Sequence, residues 1–225
     1  MSVHYSTGQR ICAEFLGTTS LLATVIGSGI MGARLSGGND ALALIGNTLP
    51  TGAILVVLIT MLGPISGAHF NPAVTGVFWF KGEIDPALAL RYVLAQIVGG
   101  AGGVLAAHLM FDLPLLQLSM KVRSGPAQWF AEWVATFGLL VTILATLKGK
   151  PNAVPMSVGL YITAAYWFTA STSFANPAVT LARAFSDTFA GIRIEDVLPF
   201  VVAQMAGAFS ALAACSWLLN SEMAQ

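Results

Sequence analysis

Apolar residues gather into six long stretches, at 11–33, 49–64, 88–111, 129–147, 154–171 and 197–219, with most of the charge in the segments between them. Crossing the hydrocarbon core of a bilayer takes roughly 20 residues of helix. The pattern therefore predicts six transmembrane helices, of which the second and fifth are short. Each short stretch runs into a segment punctuated like a new helix. The first reads Ser66-Gly67-Ala68-His69-Phe70-Asn71-Pro72-Ala73-Val74-Thr75; the second reads Thr172-Ser173-Phe174-Ala175-Asn176-Pro177-Ala178-Val179-Thr180. Asn is a favoured N-cap and Pro suits the first helical position, so helices are expected to start at Pro72 and Pro177. A helix starting where the chain should be leaving the membrane, and turning back inward, is a half-helix. Its positive N-terminal end then faces the bilayer midplane.

The correspondence extends beyond these two runs. Ala13-Glu14-Phe15 opens the first stretch as Ala131-Glu132-Trp133 opens the fourth, and Ala95-Gln96 in the third answers Ala203-Gln204 in the sixth. Separations differ while the order holds. Three spans per copy is an odd number, so the second copy enters the membrane from the opposite face. The expected fold is an all-α membrane protein: six transmembrane helices plus two re-entrant half-helices in an inverted repeat. The repeats cover about 11–111 and 129–219 of a single transmembrane domain, 1–225. Small residues at Gly99, Gly103, Ala203, Gly207 and Ala211 recur at spacings of four, which predicts close backbone packing between the halves.

Composition agrees with a membrane protein. Hydrophobic residues make up 56% and charged residues 9%, against about 25% charged in soluble domains. Ten basic residues balance ten acidic ones, so no basic field points to nucleic acid. Loops assigned alternately to the two sides receive five Lys and Arg each, which leaves orientation unset by charge. Cys12 and Cys215 lie in apolar runs and read as packing residues. No short leader with a cleavage site precedes the first span, which is expected to act as an uncleaved insertion signal. His4, His69 and His108 are scattered, with no clustered Cys or acidic partners, so neither a metal, a cofactor nor enzymatic chemistry is expected.

Glu14 and Glu132 are carboxylates inside apolar spans, a costly placement that requires protein or water around them. They read either as proton carriers of a coupled transporter or as acceptors for the irregular backbone leading into each half-helix. Their equivalent positions in the two halves favour the scaffold role.

These motifs, in this order, resemble the aquaporins, the major intrinsic proteins, over essentially the whole chain. The resemblance implies a passive channel. Asn71-Pro72-Ala73 and Asn176-Pro177-Ala178 would meet at its centre, with the Asn side-chain amides offered to a passing solute. Two helix N-termini, each equivalent to roughly half a positive charge, would oppose cations there. Carbonyls of Gly67, Ala68 and His69, and of Thr172, Ser173 and Phe174, would line the pore; His69 reads as a pore-lining donor, favoured by its place in the motif, or else as a satisfied buried histidine. Water-selective aquaporins place Arg after the second motif; here that position is Val179. The other filter positions fall on Thr51, Ala164 and Ser173, so the filter would be small and uncharged. Thr180 stands where glycerol-conducting members place Asp. Val in place of the filter Arg resembles a bacterial branch linked to arsenic resistance. That likeness implies passage of water, glycerol-like solutes and arsenicals, including methylated forms. It also implies a homotetramer in the lipid bilayer of a bacterial inner membrane, with cytoplasmic termini. The alternative is a proton-coupled small-solute transporter using Glu14 and Glu132. Arg183, at helical spacing from Asn176 and Val179, is a vestibule candidate that would draw anionic or strongly dipolar solutes, or else a rim residue paired with Asp187.

Overall fold

A computed structural model describes residues 4–220. Its helices are α1 (Thr7–Leu35), α2 (Asp40–Ser66), α3 (Pro72–Phe80), α4 (Pro86–Met110), α5 (Pro126–Gly149), α6 (Val154–Phe168), α7 (Pro177–Arg183) and α8 (Ile194–Leu218), with a 3-10 turn at Pro151–Ala153. Among the described residues there is no strand. Five helices among the described residues are long and apolar enough to cross a membrane. The sixth crossing is α6, 15 residues preceded by the 3-10 turn.

The expected second span was too short. Helix α2 runs for 27 residues and starts at Asp40, where the Asn39 side chain accepts from the backbone of Ala41 and Leu42. Its early turns carry Asn47 and Thr48, which fall outside the expected span of 49–64 and read as loop in sequence. They are buried instead. Asn47 Nδ2 donates to the Val25 carbonyl at 2.8 Å and to Ser28 Oγ at 2.9 Å, so α1 supplies the partners that membrane burial demands. The short half-helices α3 and α7 begin as the sequence predicts, capped by Asn71 and Asn176 with Pro at the first position.

Exchange of α1–α4 for α5–α8 maps the packing onto itself. α1 packs on α2 and α4 as α5 packs on α6 and α8. α3 packs on α4 and α8 as α7 packs on α8 and α4, while α2 meets α6 and α3 meets α7 across the middle. The two half-helices are thereby enclosed by long helices and come together at their N-terminal ends.

The small-residue stripes do a different job from the one expected. They do not join the halves; each closes a helix pair within one half. A Cβ at Gly99 would sit 2.6 Å from the Phe15 carbonyl oxygen of α1, and one at Gly103 would run into the Thr19 carbonyl. Gly207 stands in the same relation to the Trp133 backbone of α5. These glycines let α4 and α8 lie backbone to backbone against α1 and α5, which places Gln96 and Gln204 within reach of Glu14 and Glu132.

This packing makes a test possible between neighbours on one helix. Gly103→Ala must push α4 off α1 and should cost about 1–3 kcal/mol, the usual range for overpacking. Gly102→Ala meets only Thr19 side-chain atoms at 3.7 Å and beyond, so it should be tolerated. Thermal unfolding in detergent should show a lower transition for Gly103→Ala alone. Equal transitions for both variants would contradict the close α1–α4 contact.

Candidate functional site

The site is built from two irregular segments that the helices suspend at membrane depth. Residues 67–71 and 172–176 follow one backbone path. In the first, Gly67, Ala68 and Phe70 have φ of 90°, 51° and 48°; in the second, Thr172, Ser173 and Ala175 have 63°, 49° and 48°. Left-handed conformations cost a non-glycine residue about 1–3 kcal/mol each and persist only where surroundings over-determine them. The surroundings here are carboxylates.

Glu14 and Glu132 are both 0% exposed. Glu14 Oε1 accepts from Ser66 Oγ at 2.6 Å and the His69 amide at 2.9 Å; its Oε2 accepts from the Phe70 amide at 2.6 Å and Gln96 Nε2 at 2.8 Å. Glu132 accepts from the Phe174 and Ala175 amides at 2.8 and 2.9 Å and from Gln204 Nε2 at 2.6 Å. Gln96 and Gln204 reach on to Thr75 and Thr180 of the half-helices. Each carboxylate thus ties a re-entrant segment to other elements of its half, and neither lines the central cavity.

At the centre the halves clasp each other. Asn71 Oδ1 accepts from the Ala73 amide, and its Nδ2 donates to the Ala175 carbonyl at 2.7 Å. Asn176 Oδ1 accepts from Ala178 and Val179, and its Nδ2 donates to the Phe70 carbonyl at 2.8 Å. One amide hydrogen of each Asn is therefore committed across the interface, which narrows the expected role: one hydrogen remains for a solute. Both Asn side chains cap helices whose positive ends converge here.

A continuous cavity passes this point. It extends from Leu147, Val154 and Phe78 near the side that holds the termini, past Asn71 and Asn176, to Thr51, Ser173, Val179 and Arg183 on the other side. Most of its wall is aliphatic, supplied by Leu21, Val25, Leu55, Ile143, Val158 and others. Gly67, Ala68, His69 and Phe174 line it as well. His69 lies on the wall with one ring nitrogen, Nδ1, 3.1 Å from Thr75 Oγ1, and its ring packs on Phe78. Pro72, Ala73, Pro177 and Ala178 lie behind the wall as the first turns of the half-helices.

Three expectations need correction. Ala164 is exposed on the outer face of α6 and does not line the cavity. Ile162 and Tyr166, four residues apart, share the inner face of α6, and Ala164 midway between them is turned away by helical geometry. Thr172 is also absent from the wall; its hydroxyl is turned toward Arg123 Nη1, 3.5 Å away. Arg183 is neither an exposed mouth residue nor paired with Asp187. It is 1% exposed, donates through Nε to the Ala190 carbonyl and lines the cavity, while Asp187 accepts from the Met120 amide.

Two residues of the site are not evident from sequence. Tyr166 faces the cavity and approaches Thr51 Oγ1 at 3.5 Å; its spacing from Ile162 and Val158 carries that signal. Arg123 is a buried loop arginine that donates to the carbonyls of Gly191 and Ser171 at 2.9 and 3.0 Å. Nothing in its flanking sequence distinguishes it from a surface charge. Beside it, burial together with Arg123 and Arg183 pushes Lys121 down to about 8.

The geometry has counterparts. The model of the major intrinsic protein family matches residues 1–173. The chain is 60% identical over 212 residues to aquaglyceroporin AqpS of Rhizobium meliloti, covering 94% of this chain and 91% of that protein. It is 30% identical over 230 residues to glycerol uptake facilitator protein-like 6 of Lactiplantibacillus plantarum, covering 95% and 99%. The solved structure of the aquaglyceroporin from Plasmodium falciparum shares the fold at a TM-score of 0.69 and 24% identity, covering 94% and 95% of the two chains. The chain belongs to the major intrinsic protein family, a family of membrane channels and not of enzymes.

Proposed function

We propose that this chain is a passive channel for small, mainly neutral polar solutes: water, glycerol-like molecules and arsenicals, including methylated ones. The observation that carries the reading is the set of small, uncharged side chains at the filter level. Thr51, Ser173 and Val179 line the cavity where the resemblance places a bulky cation in water-selective members. Ala164 is turned outward, and the α6 side chain at this level is Tyr166, uncharged but larger than the other three. Two relatives named for glycerol conduction support the polyol part of the proposal; the arsenical part rests on the Val179 resemblance. The single domain 1–225, the homotetramer, the bacterial inner membrane and the cytoplasmic termini belong to the same reading.

The physical logic is that of a sieve with a charged centre. Convergent half-helix N-termini raise the potential near Asn71 and Asn176, which disfavours cations. An aliphatic wall gives a solute few places to bind, so it leaves as readily as it enters. The coupled-transporter alternative needs a carboxylate that can load and unload protons from the lumen. Glu14 and Glu132 are walled off from it and occupied by backbone amides.

Flux into proteoliposomes tests the proposal with a panel of water, glycerol, urea, arsenite and methylarsenite. Downhill flux independent of a pH gradient is expected for the neutral solutes. Acceleration by an imposed pH gradient would overturn the passive reading. Val179→Arg should cut arsenical flux about tenfold or more, a loss of roughly 1.4 kcal/mol in passage, while reducing water flux less. Equal loss for all solutes in a folded variant would remove Val179 from the filter.

A further inference from the structure

We infer that Arg183 and Ser173 form a binding station in the channel wall for small singly charged oxyanions. The inference rests on the channel reading above and adds to it a solute site that is not the Val179 filter position.

Two buried donors on this wall lack partners. Arg183 spends its Nε–H on the Ala190 carbonyl and has the Tyr166 hydroxyl beside its guanidinium, but its Nη1 has no hydrogen-bond partner among the described residues. Ser173 is 2% exposed, and its Oγ is likewise unpartnered. Both residues line the same cavity. Buried polar groups are almost always satisfied, and a charged one left alone is the most costly kind. A ligand oxygen in the lumen supplies what the protein does not.

Charge decides which ligand. The carboxylates that could neutralise Arg183 are engaged elsewhere. Glu132 holds the Phe174 and Ala175 amides and Gln204; Asp187 holds the Met120 amide; Asp196 holds the Arg123 amide and Arg193. Arg123 adds a second guanidinium, satisfied by backbone carbonyls and not by an anion. In the first half the equivalent Ser66 carbonyl is held by the Tyr92 hydroxyl, and the guanidinium there, Arg10, stands one bond further back, donating to that hydroxyl at 3.0 Å. Both guanidinium carbons stand over the Phe174 ring, Arg183 at 3.3 Å and Arg123 at 4.8 Å from its centroid. The ring fixes Arg183 in position, so little freedom is lost when a ligand binds. The station therefore presents donors in excess positive charge, and its best ligand is an acceptor-only anion with several oxygens. Val179, one turn away, leaves the space open.

Nitrate is a suitable probe. Water flux is measured in proteoliposomes at equal osmolality and ionic strength, with nitrate titrated against gluconate, and each variant is compared with itself. Wild type should show a saturable reduction of water flux by nitrate. Ser173→Ala and Arg183→Gln should raise the half-blocking concentration about tenfold, the loss of one charge-assisted hydrogen bond. Arg183→Lys, which keeps the charge but loses the fork, should fall between. If Arg183→Gln does not reconstitute, Ser173→Ala and Arg183→Lys distinguish the outcomes by themselves. Water flux indifferent to nitrate in wild type, or one half-blocking concentration shared by all variants, would overturn the station while leaving the channel intact. Absence of flux for water and every neutral solute would instead overturn the channel reading.

Discussion

A carboxylate in the middle of a membrane helix is tolerated only when the protein surrounds it with donors, and the fold is arranged around two such groups. Glu14 and Glu132 each collect backbone amides of a re-entrant segment and the amide of a glutamine from a third helix. Hydrogen bonds to charged groups are worth about 1.5–3 kcal/mol each, the same order as the strain in the left-handed residues they hold. Without them the segments 67–71 and 172–176 would have unsatisfied amides at membrane depth. With them, the chain can stop a helix, turn and start another inside the bilayer.

The close helix pairs are the condition for this arrangement. Gly99 and Gly103 bring α4 against α1, and Gly207 brings α8 against α5, so that the two glutamines reach the two carboxylates. The half-helices are then anchored at their sides by Thr75 and Thr180 and at their tips by the crossed Asn bonds. Permeation follows from what this leaves on the inner surface: an aliphatic tube, a positive centre, and polar groups concentrated toward one end. The second half differs from the first where the Arg123 guanidinium holds the Ser171 carbonyl directly, while Arg10 reaches the Ser66 carbonyl only through the Tyr92 hydroxyl.

Much of this was legible in the sequence, for identifiable reasons. Asn-Pro pairs carry their own capping chemistry, so α3 and α7 begin where the residues say. The paired glutamates could be read as scaffold because their symmetry is visible without coordinates. What failed depended on tertiary context. The start of α2 was hidden because Asn47 and Thr48 look like loop residues until α1 supplies partners to Asn47. Ala164 was placed by counting along an irregular segment, where a shift of two residues turns a side chain from lumen to lipid. The glycine stripes announced close packing but not against which helix. Arg183 was given the right helix face, yet its burial depended on Phe174 and the Ala190 carbonyl, which lie in the irregular segments either side of α7, where helical spacing says nothing.

The central claim is that the two carboxylates hold the pore open as fixed acceptors and carry no protons. Glutamine at these positions keeps the volume but turns one acceptor oxygen into a donor that faces backbone amides. The direct measurement is therefore solute flux and thermal stability of Glu14→Gln and Glu132→Gln, with and without an imposed pH gradient. Stability and flux should fall together in both variants, and the response to the gradient should be the same as in wild type. A stable, folded Glu132→Gln that still conducts but has lost a pH-gradient response present in wild type would contradict the account.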